Sequence, residues 1–244
     1  MKVARYGIIL QVSDSKRRME YLASLTVSGT DAAQFLQGYV TCDLDTIQPK
    51  QGLPAALTEI KGRVIANGWC YGTPTQVTLV FHQSLVDTVK NHLGRYMAFA
   101  KSEFSEITKK LNLTEAAVEG EVKLAPFGWG VVPATDAENQ LNHLTVTNEF
   151  PIIQTDTSGL FLPQMLNLTQ HGAVSFTKGC YLGQEIVART EHLGQVKRQL
   201  FRTELSEPDV SVGTTIEVSD RGTCTVVGVV HHQALLVGRT PKPN

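Results

Sequence analysis

The run Lys178-Gly179-Cys180-Tyr181-Leu182-Gly183-Gln184-Glu185, continuing through Ile186-Val187-Ala188-Arg189, sets a thiol beside a cation and two glycines, just ahead of a short helical pattern. The first turn of a helix has backbone N–H groups without partners and a field that favours an anion. A cysteine held there, with Lys178 nearby, is expected to spend a larger fraction of its time as thiolate, which makes Cys180 and Lys178 the candidate catalytic pair. The glycines open backbone conformations closed to other residues and let a ligand approach closely. Glu185 and Arg189 are four residues apart, so a helix puts them on one face, where they pair or bracket a polar ligand. A structural cysteine would instead have apolar neighbours at regular spacing. A nucleophile pair of Cys180 with His192 is conceivable, though no spacing fixes its geometry.

The elements that must position this stretch follow from periodicity. Tyr21 to Val27 alternates as a half-buried strand. Thr30 or Asp31 can cap a helix over Ala32 to Gln37, with Gly38 as its stop. Leu53 to Glu59 and Arg63 to Tyr71 read as a hairpin around Ile60-Lys61-Gly62, followed by a strand at Gln76 to Phe81. Ser84 to Tyr96 has the apolar spacing of an amphipathic helix. Leu113 to Val132 reads as strands and turns, Thr135 to Asn142 as a short polar helix, and Pro151 to Pro163 as a loop. The Lys178 to Gly194 segment enters a helix that Gly194 closes. After Arg198 the pattern becomes four strands, Leu200–Leu205, Thr214–Val218, Thr223–Val230 and Ala234–Val237, with Asp220-Arg221-Gly222 as a hairpin turn, which reads as a small antiparallel sheet or partial barrel.

Bulk properties narrow the function classes. The chain has 244 residues, 42% of them hydrophobic, enough for a sizeable core. Its net charge of −1 implies no large basic surface, so direct nucleic-acid binding would need a local patch. Lys16-Arg17-Arg18 and the group Lys197, Arg198 and Arg202 are the candidates, and each also reads as a solvated face. The four cysteines are far apart and form no C-x-x-C pair, which fits free thiols in a reducing compartment. The apolar run at Tyr6 to Leu10 is too short for a signal peptide, and no segment approaches the roughly 20 apolar residues of a membrane span. The reading is a cytoplasmic protein. No phosphate loop, dinucleotide fingerprint, G-x-S-x-G elbow or zinc-ligand spacing is visible, and no metal ligands are assigned.

The pattern K-G-C-Y-x-G-Q-E at Lys178 to Glu185 resembles the signature of the YgfZ family. That family is related to a mitochondrial iron–sulfur assembly factor and is similar in fold to the aminomethyltransferase, or T-protein, of the glycine cleavage system. Gly29-Thr30-Asp31-Ala32, Phe35-Leu36-Gln37-Gly38 and Thr41-Cys42-Asp43 resemble the family's N-terminal block, and Lys61-Gly62-Arg63 its K-G-R turn. Pro163 to Leu168 resembles the segment upstream of the signature, and Gly194, Lys197 and Arg198 continue it.

The resemblance implies an α+β fold: a T-protein-like three-lobed ring of mostly antiparallel sheets with flanking helices around a central channel. Residues 1–198 would form the folate-binding region as two interleaved lobes. Residues 199–244 would form a small, barrel-like antiparallel lobe. The implied role is a tetrahydrofolate-binding accessory factor that supports assembly or repair of iron–sulfur enzymes, tRNA-thiolating ones included, without established turnover of its own. The alternative is a folate-dependent aminomethyltransferase-like enzyme, although the T-protein branch does not carry the cysteine motif. Folate has a flat pterin, an aromatic linker and an acidic tail. Tyr181 or Tyr39 would supply stacking, Gln184, Glu185, Gln164 and Asn167 polar edges, and Arg189 or Lys178 a cation.

Overall fold

The computed structural model describes residues 20–134, 139–194, 196–206 and 210–241. The Tyr6–Leu10 run and the Lys16-Arg17-Arg18 patch lie outside the described residues. The alternating stretch after Tyr21 becomes β1 (Leu22–Gly29), with Leu22 to Val27 all buried. It lies between β4 (Gln76–His82) and β5 (Ser102–Thr114), each pairing with one of its edges antiparallel. Even its polar positions are covered, and the Thr26 and Thr78 hydroxyls meet at 3.0 Å across the ladder.

The predicted hairpin forms as β2 (Gln51–Thr58) and β3 (Val64–Thr73), and β3 pairs onward with β4. β6 (Lys123–Leu124) and β7 (Trp129–Pro133) complete a closed seven-stranded barrel in the order β1-β4-β3-β2-β6-β7-β5. The β2–β6 pairing is parallel and the others are antiparallel. The ring closes through one short ladder, in which β2 meets β6 only at Gln51–Lys123 and Gly52–Leu124. β5 escapes the sequence pattern until Leu113 because its outward positions, Glu103, Ser105 and Glu106, are exposed and dilute the apolar signal of Phe104 and Leu111.

Helix α1 (Ala32–Gln37) lies where predicted, buries Ala32 and Leu36, and ends at Gly38. Asp31 stands at its cap position but does not cap it. Its carboxylate accepts the Lys101 N–H at 2.8 Å and the Ser102 hydroxyl instead, tying the start of α1 to the start of β5. α2 (Val86–Met97) buries Val86, Val89 and Leu93. Of the polar helix expected at Thr135–Asn142, residues 135–138 lie outside the described residues, and the described helix here is α3 (Leu141–Thr147). The helix forms where apolar side chains exist to bury, at Leu141, Leu144 and Val146.

The C-terminal strands are β8 (Arg198–Glu204), β9 (Thr215–Val218), β10 (Gly222–Val230) and β11 (Gln233–Arg239). They form an open sheet in the order β8-β11-β10-β9, not the barrel-like lobe expected; the barrel is in the N-terminal part of the chain. The reason is that both faces of the sheet find apolar cover. Leu200, Val227, Leu235 and Val237 join the main core. Val218, Cys224, Val226, Ala234 and Leu236 form a second cluster with Val210 on the other face. Among the described residues, no helix is long and apolar enough to cross a membrane.

Candidate functional site

The signature is a loop, residues 175–183, feeding α4 (Gln184–Leu193). It lies across the corner that follows α1 and the end of β2. The Ser175 N–H donates to the Thr41 carbonyl at 2.9 Å, and the Leu182 N–H to the Gly38 carbonyl at 2.9 Å. The Thr58 hydroxyl donates to the Leu182 carbonyl. The Thr41 hydroxyl donates to the Ala173 carbonyl while accepting the Ala56 N–H at 2.8 Å. The N-terminal block and the signature, far apart in sequence, are therefore one hydrogen-bonded unit.

Lys178 is the centre of that unit. It is 8% exposed, and its ammonium donates to the carbonyls of Gln37 at 2.7 Å, Val40 at 2.8 Å and Cys42 at 2.8 Å. An ammonium has three donors. All three go to the corner backbone, so Lys178 anchors the loop where the sequence suggested a partner for the thiol. Burial pushes its pKa below the ordinary lysine value, against the opposing pull of Cys42 and Asp43.

The third block joins through two glycines. Gly183 has φ +85°, and a Cβ there would stand 2.4 Å from the Glu59 carbonyl oxygen and 2.8 Å from the Gly62 Cα. The Lys61-Gly62-Arg63 turn thus seats directly on the start of α4. Gly179, by contrast, has open space around it. Gly183→Ala is expected to lower unfolding free energy by about 2–4 kcal/mol through strain and overlap, and Gly179→Ala by less than about 1 kcal/mol, read by chemical denaturation. Equal effects would show that the turn tolerates a side chain.

The corner is braced from below. The Asp43 carboxylate accepts from the Gln37 side-chain amide at 2.8 Å and the Asp45 N–H at 3.1 Å, while the side-chain Oε1 of Gln37 accepts the Leu44 N–H at 2.8 Å. These bonds, the Gln37 one foremost, hold the Asp43 carboxyl below the usual carboxylate range. A depressed carboxylate stabilises the fold above the unfolded value and loses that contribution as pH falls through the folded one. Asp43→Asn is expected to leave a smaller loss of melting temperature between pH 4 and pH 2 than the wild type shows. An unchanged acid limb would remove Asp43 from the brace.

The thiol of Cys180 is exposed, while Cys42, Cys70 and Cys224 are buried. The buried Cys70 thiol, in contact with Cys42, is pushed well above the ordinary range. Cys180 precedes the Gly183 cap by three residues, so it sits on the approach to α4 and not in its first turn.

Glu185 and Arg189 pair at 2.6 Å on the open face of α4, with side chains 80% and 62% exposed, and Gln184 begins that helix. Tyr181 is 6% exposed, with its ring 5.3 Å from the Lys178 ammonium, and burial pushes its phenol up to about 12. It therefore offers no open stacking surface. Gln164 is buried behind α4, its amide donating to the Val187 carbonyl at 2.8 Å and to Glu191 at 3.1 Å, with its own oxygen unpartnered. Asn167 takes the left-handed conformation that ends the 163–166 turn. His192 packs its ring against Phe176 at 5.6 Å.

Tyr39 is half-buried and borders a groove of about 260 Å³. Sequence reasoning missed Thr41 and Thr58 as brackets of the loop and Tyr96 and Phe99 as walls of the groove. Among the described residues, no group of three or more His, Cys, Asp or Glu is placed to hold a metal ion.

No protein-family model matches the chain. The chain is 30% identical over 225 residues to the tRNA-modifying protein YgfZ of Yersinia pseudotuberculosis serotype IB, spanning 73% of this chain and 67% of that protein. It is 28% identical over 256 residues to the protein of the same name from Klebsiella pneumoniae, spanning 85% and 78%. With the Colwellia psychrerythraea protein of that name it shares 27% over 228 residues, spanning 76% and 70%. In fold it is similar to the glycine cleavage system aminomethyltransferase T from Bartonella henselae, with a TM-score of 0.60 over 90% of this chain and 76% of that one, at 11% identity. Such low identity speaks to architecture alone. Likeness of sequence across two thirds of a relative's length, on a T-protein-like α+β fold, settles the kinship: the chain belongs to the YgfZ family.

Proposed function

We propose that the protein is a tetrahydrofolate-binding accessory factor that supports assembly or repair of iron–sulfur enzymes, tRNA-modifying ones among them, with Cys180 as its reactive thiol. The observation that carries this reading is the placement of Cys180. It is the exposed cysteine of the four, on a loop whose flanking residues are fixed by backbone bonds and by the buried Lys178. A thiol presented on a rigid support can ligate an iron, losing its proton, or attack an electrophilic carbon without first ordering its own backbone. The names of the relatives, tRNA-modifying proteins, support the client class.

The residues present fit a folate in outline. The Tyr39 groove supplies an open aromatic wall, Glu185 and Arg189 on the open face of α4 supply charged groups, and half-buried Gln184 begins that helix. Folate, when bound, supplies one-carbon chemistry; the chain's own part is to hold the ligand near the signature loop and to fix the thiol.

The test is calorimetry with tetrahydrofolate under anaerobic conditions on the wild type and on Cys180→Ala. Both are expected to bind with similar affinity, because the sulfur is a reacting group and not a wall of the site. No heat of binding with either protein would remove the folate from the reading.

Arg189→Ala extends the test. An ion pair this exposed is worth under about 1 kcal/mol, so stability is expected to hold. Folate affinity is expected to fall several-fold. Loss of stability with unchanged affinity would make the pair a structural one.

A further inference from the structure

At one end of the C-terminal sheet the strand register sets two arginines side by side. Arg198 opens β8 and stands directly opposite Arg239, which closes β11. Side chains directly opposite share a face, with Cβ atoms about 4.5–5.5 Å apart. The Arg198 guanidinium reaches past β11 to the Thr223 carbonyl on β10, at 3.5 Å. The Arg239 side chain runs beside Gly222, where its Cδ and Nε would each stand 3.9 Å from an added Cβ. The turn between β9 and β10 brings a third arginine, Arg221, whose carbonyl accepts the Arg239 N–H at 3.2 Å. Lys197, exposed, precedes Arg198 in the chain. Four cations share one rim, in a chain whose net charge is −1.

Like charges directly opposite each other destabilise a sheet. The usual remedy is a carboxylate, and among the described residues Lys197, Arg198 and Arg239 have none within 4.0 Å. Glu217, the acidic neighbour in the same cross-sheet row, accepts the Thr223 hydroxyl. Asp220 lies 3.9 Å from Arg221, whose guanidinium rests on the Phe201 ring at 4.1 Å and whose Nη1 has no acceptor among the described residues. Arg202, which the sequence grouped with Lys197 and Arg198, instead donates to the Thr147 carbonyl at 3.2 Å.

Neighbouring strands lie about 4.8 Å apart, so a row from β8 across β11 to β10 is about 10 Å wide. A lone phosphate covers only part of it. A phosphodiester chain lays one charge after another along it, and guanidinium groups grip phosphate oxygens in pairs. An accessory factor for enzymes that modify tRNA meets RNA in the same assembly. Resting on that client class in the reading above, we propose that Lys197, Arg198, Arg221 and Arg239 form a docking surface for the phosphate backbone of RNA. Phosphate contacts position a nucleic acid without reading its bases, so the binding is salt-sensitive and tolerant of sequence.

The experiment follows the fluorescence anisotropy of labelled tRNA titrated with the wild type, Arg239→Gln and Arg239→Glu over a salt series, with melting temperatures measured alongside. The wild type is expected to bind with a Kd of about 1–100 μM at physiological salt, and with a log–log salt slope of about −2 to −3, the signature of about three phosphates. Arg239→Gln is expected to make that slope shallower by about 1. Arg239→Glu is expected to weaken binding at least about tenfold. Charge reversal sets a carboxylate opposite Arg198, so its melting temperature is expected to match or exceed that of the wild type, and Arg239→Gln keeps the test sound if the reversal disturbs the sheet. No wild-type binding at low salt, or both variants within twofold of the wild type, would overturn the surface. Equal competition by polyglutamate would replace RNA with an acidic protein, and equal competition by duplex DNA would remove RNA as the occupant. Displacement of the tRNA by micromolar inorganic phosphate would mark a single-ion site and overturn the docked chain. Each of these failures leaves the Cys180 reading in place, since that reading stands or falls on Cys180→Ala.

Discussion

Lys178→Met is expected to lower unfolding free energy by about 3–5 kcal/mol, the combined effect of three buried carbonyls losing a charged donor at roughly 1–3 kcal/mol each. The three carbonyls of Gln37, Val40 and Cys42 would lose their shared donor within a buried corner. Methionine fills the space but offers no N–H. For a chain of this size the loss amounts to about 6–20 °C of melting temperature. Hydrogen exchange is the sharper measurement. The N–H groups of Ser175 and Leu182, which bond the same corner, are expected to lose protection first. A variant as stable as the wild type, with both amides still protected, would show that the loop holds itself without its lysine.

Cys180→Ala is expected to produce the opposite profile, with little change in stability and large loss of function. The side chain is exposed, so truncating it leaves no cavity. Brief alkylation of the native wild type with iodoacetamide is expected to modify Cys180 alone. Cys42, Cys70 and Cys224, at 4%, 1% and 0% exposure, should react after denaturation. Early labelling of a second cysteine would mean that the corner opens readily and that Cys180 is not singled out by its position.

The chemistry was legible in the sequence where a residue type answers a backbone demand. Gly183 needs a positive φ and room against Gly62, and no other residue meets both conditions. The hairpin around Lys61-Gly62 and helix α1 were legible because local pattern and turn residues agree there. The role of Lys178 was not, since its neighbour in the chain is Cys180 but its partners lie 136 to 141 positions earlier. Adjacency in sequence suggested a charge for the thiol, whereas the fold turns that charge toward the α1 corner. Tyr181 looked like a stacking surface for the same reason, and tertiary packing buries it. The groove was hidden because Tyr96 and Phe99 belong to no motif and join Tyr39 only once α1 and the end of α2 come together. β5 and the barrel it closes were obscured by a charged outer face, and of the two readings of the C-terminal strands, a small antiparallel sheet or a partial barrel, the sheet is the one that forms.

The central claim is that an anchored, solvent-facing sulfur does the work of this protein. The direct measurement supplies a bacterial strain lacking its own YgfZ with either the wild-type chain or Cys180→Ala, at matched soluble levels, and quantifies thiolated tRNA together with the activity of an iron–sulfur enzyme. The account predicts that the wild type restores both and the variant neither. Full restoration by Cys180→Ala would contradict it.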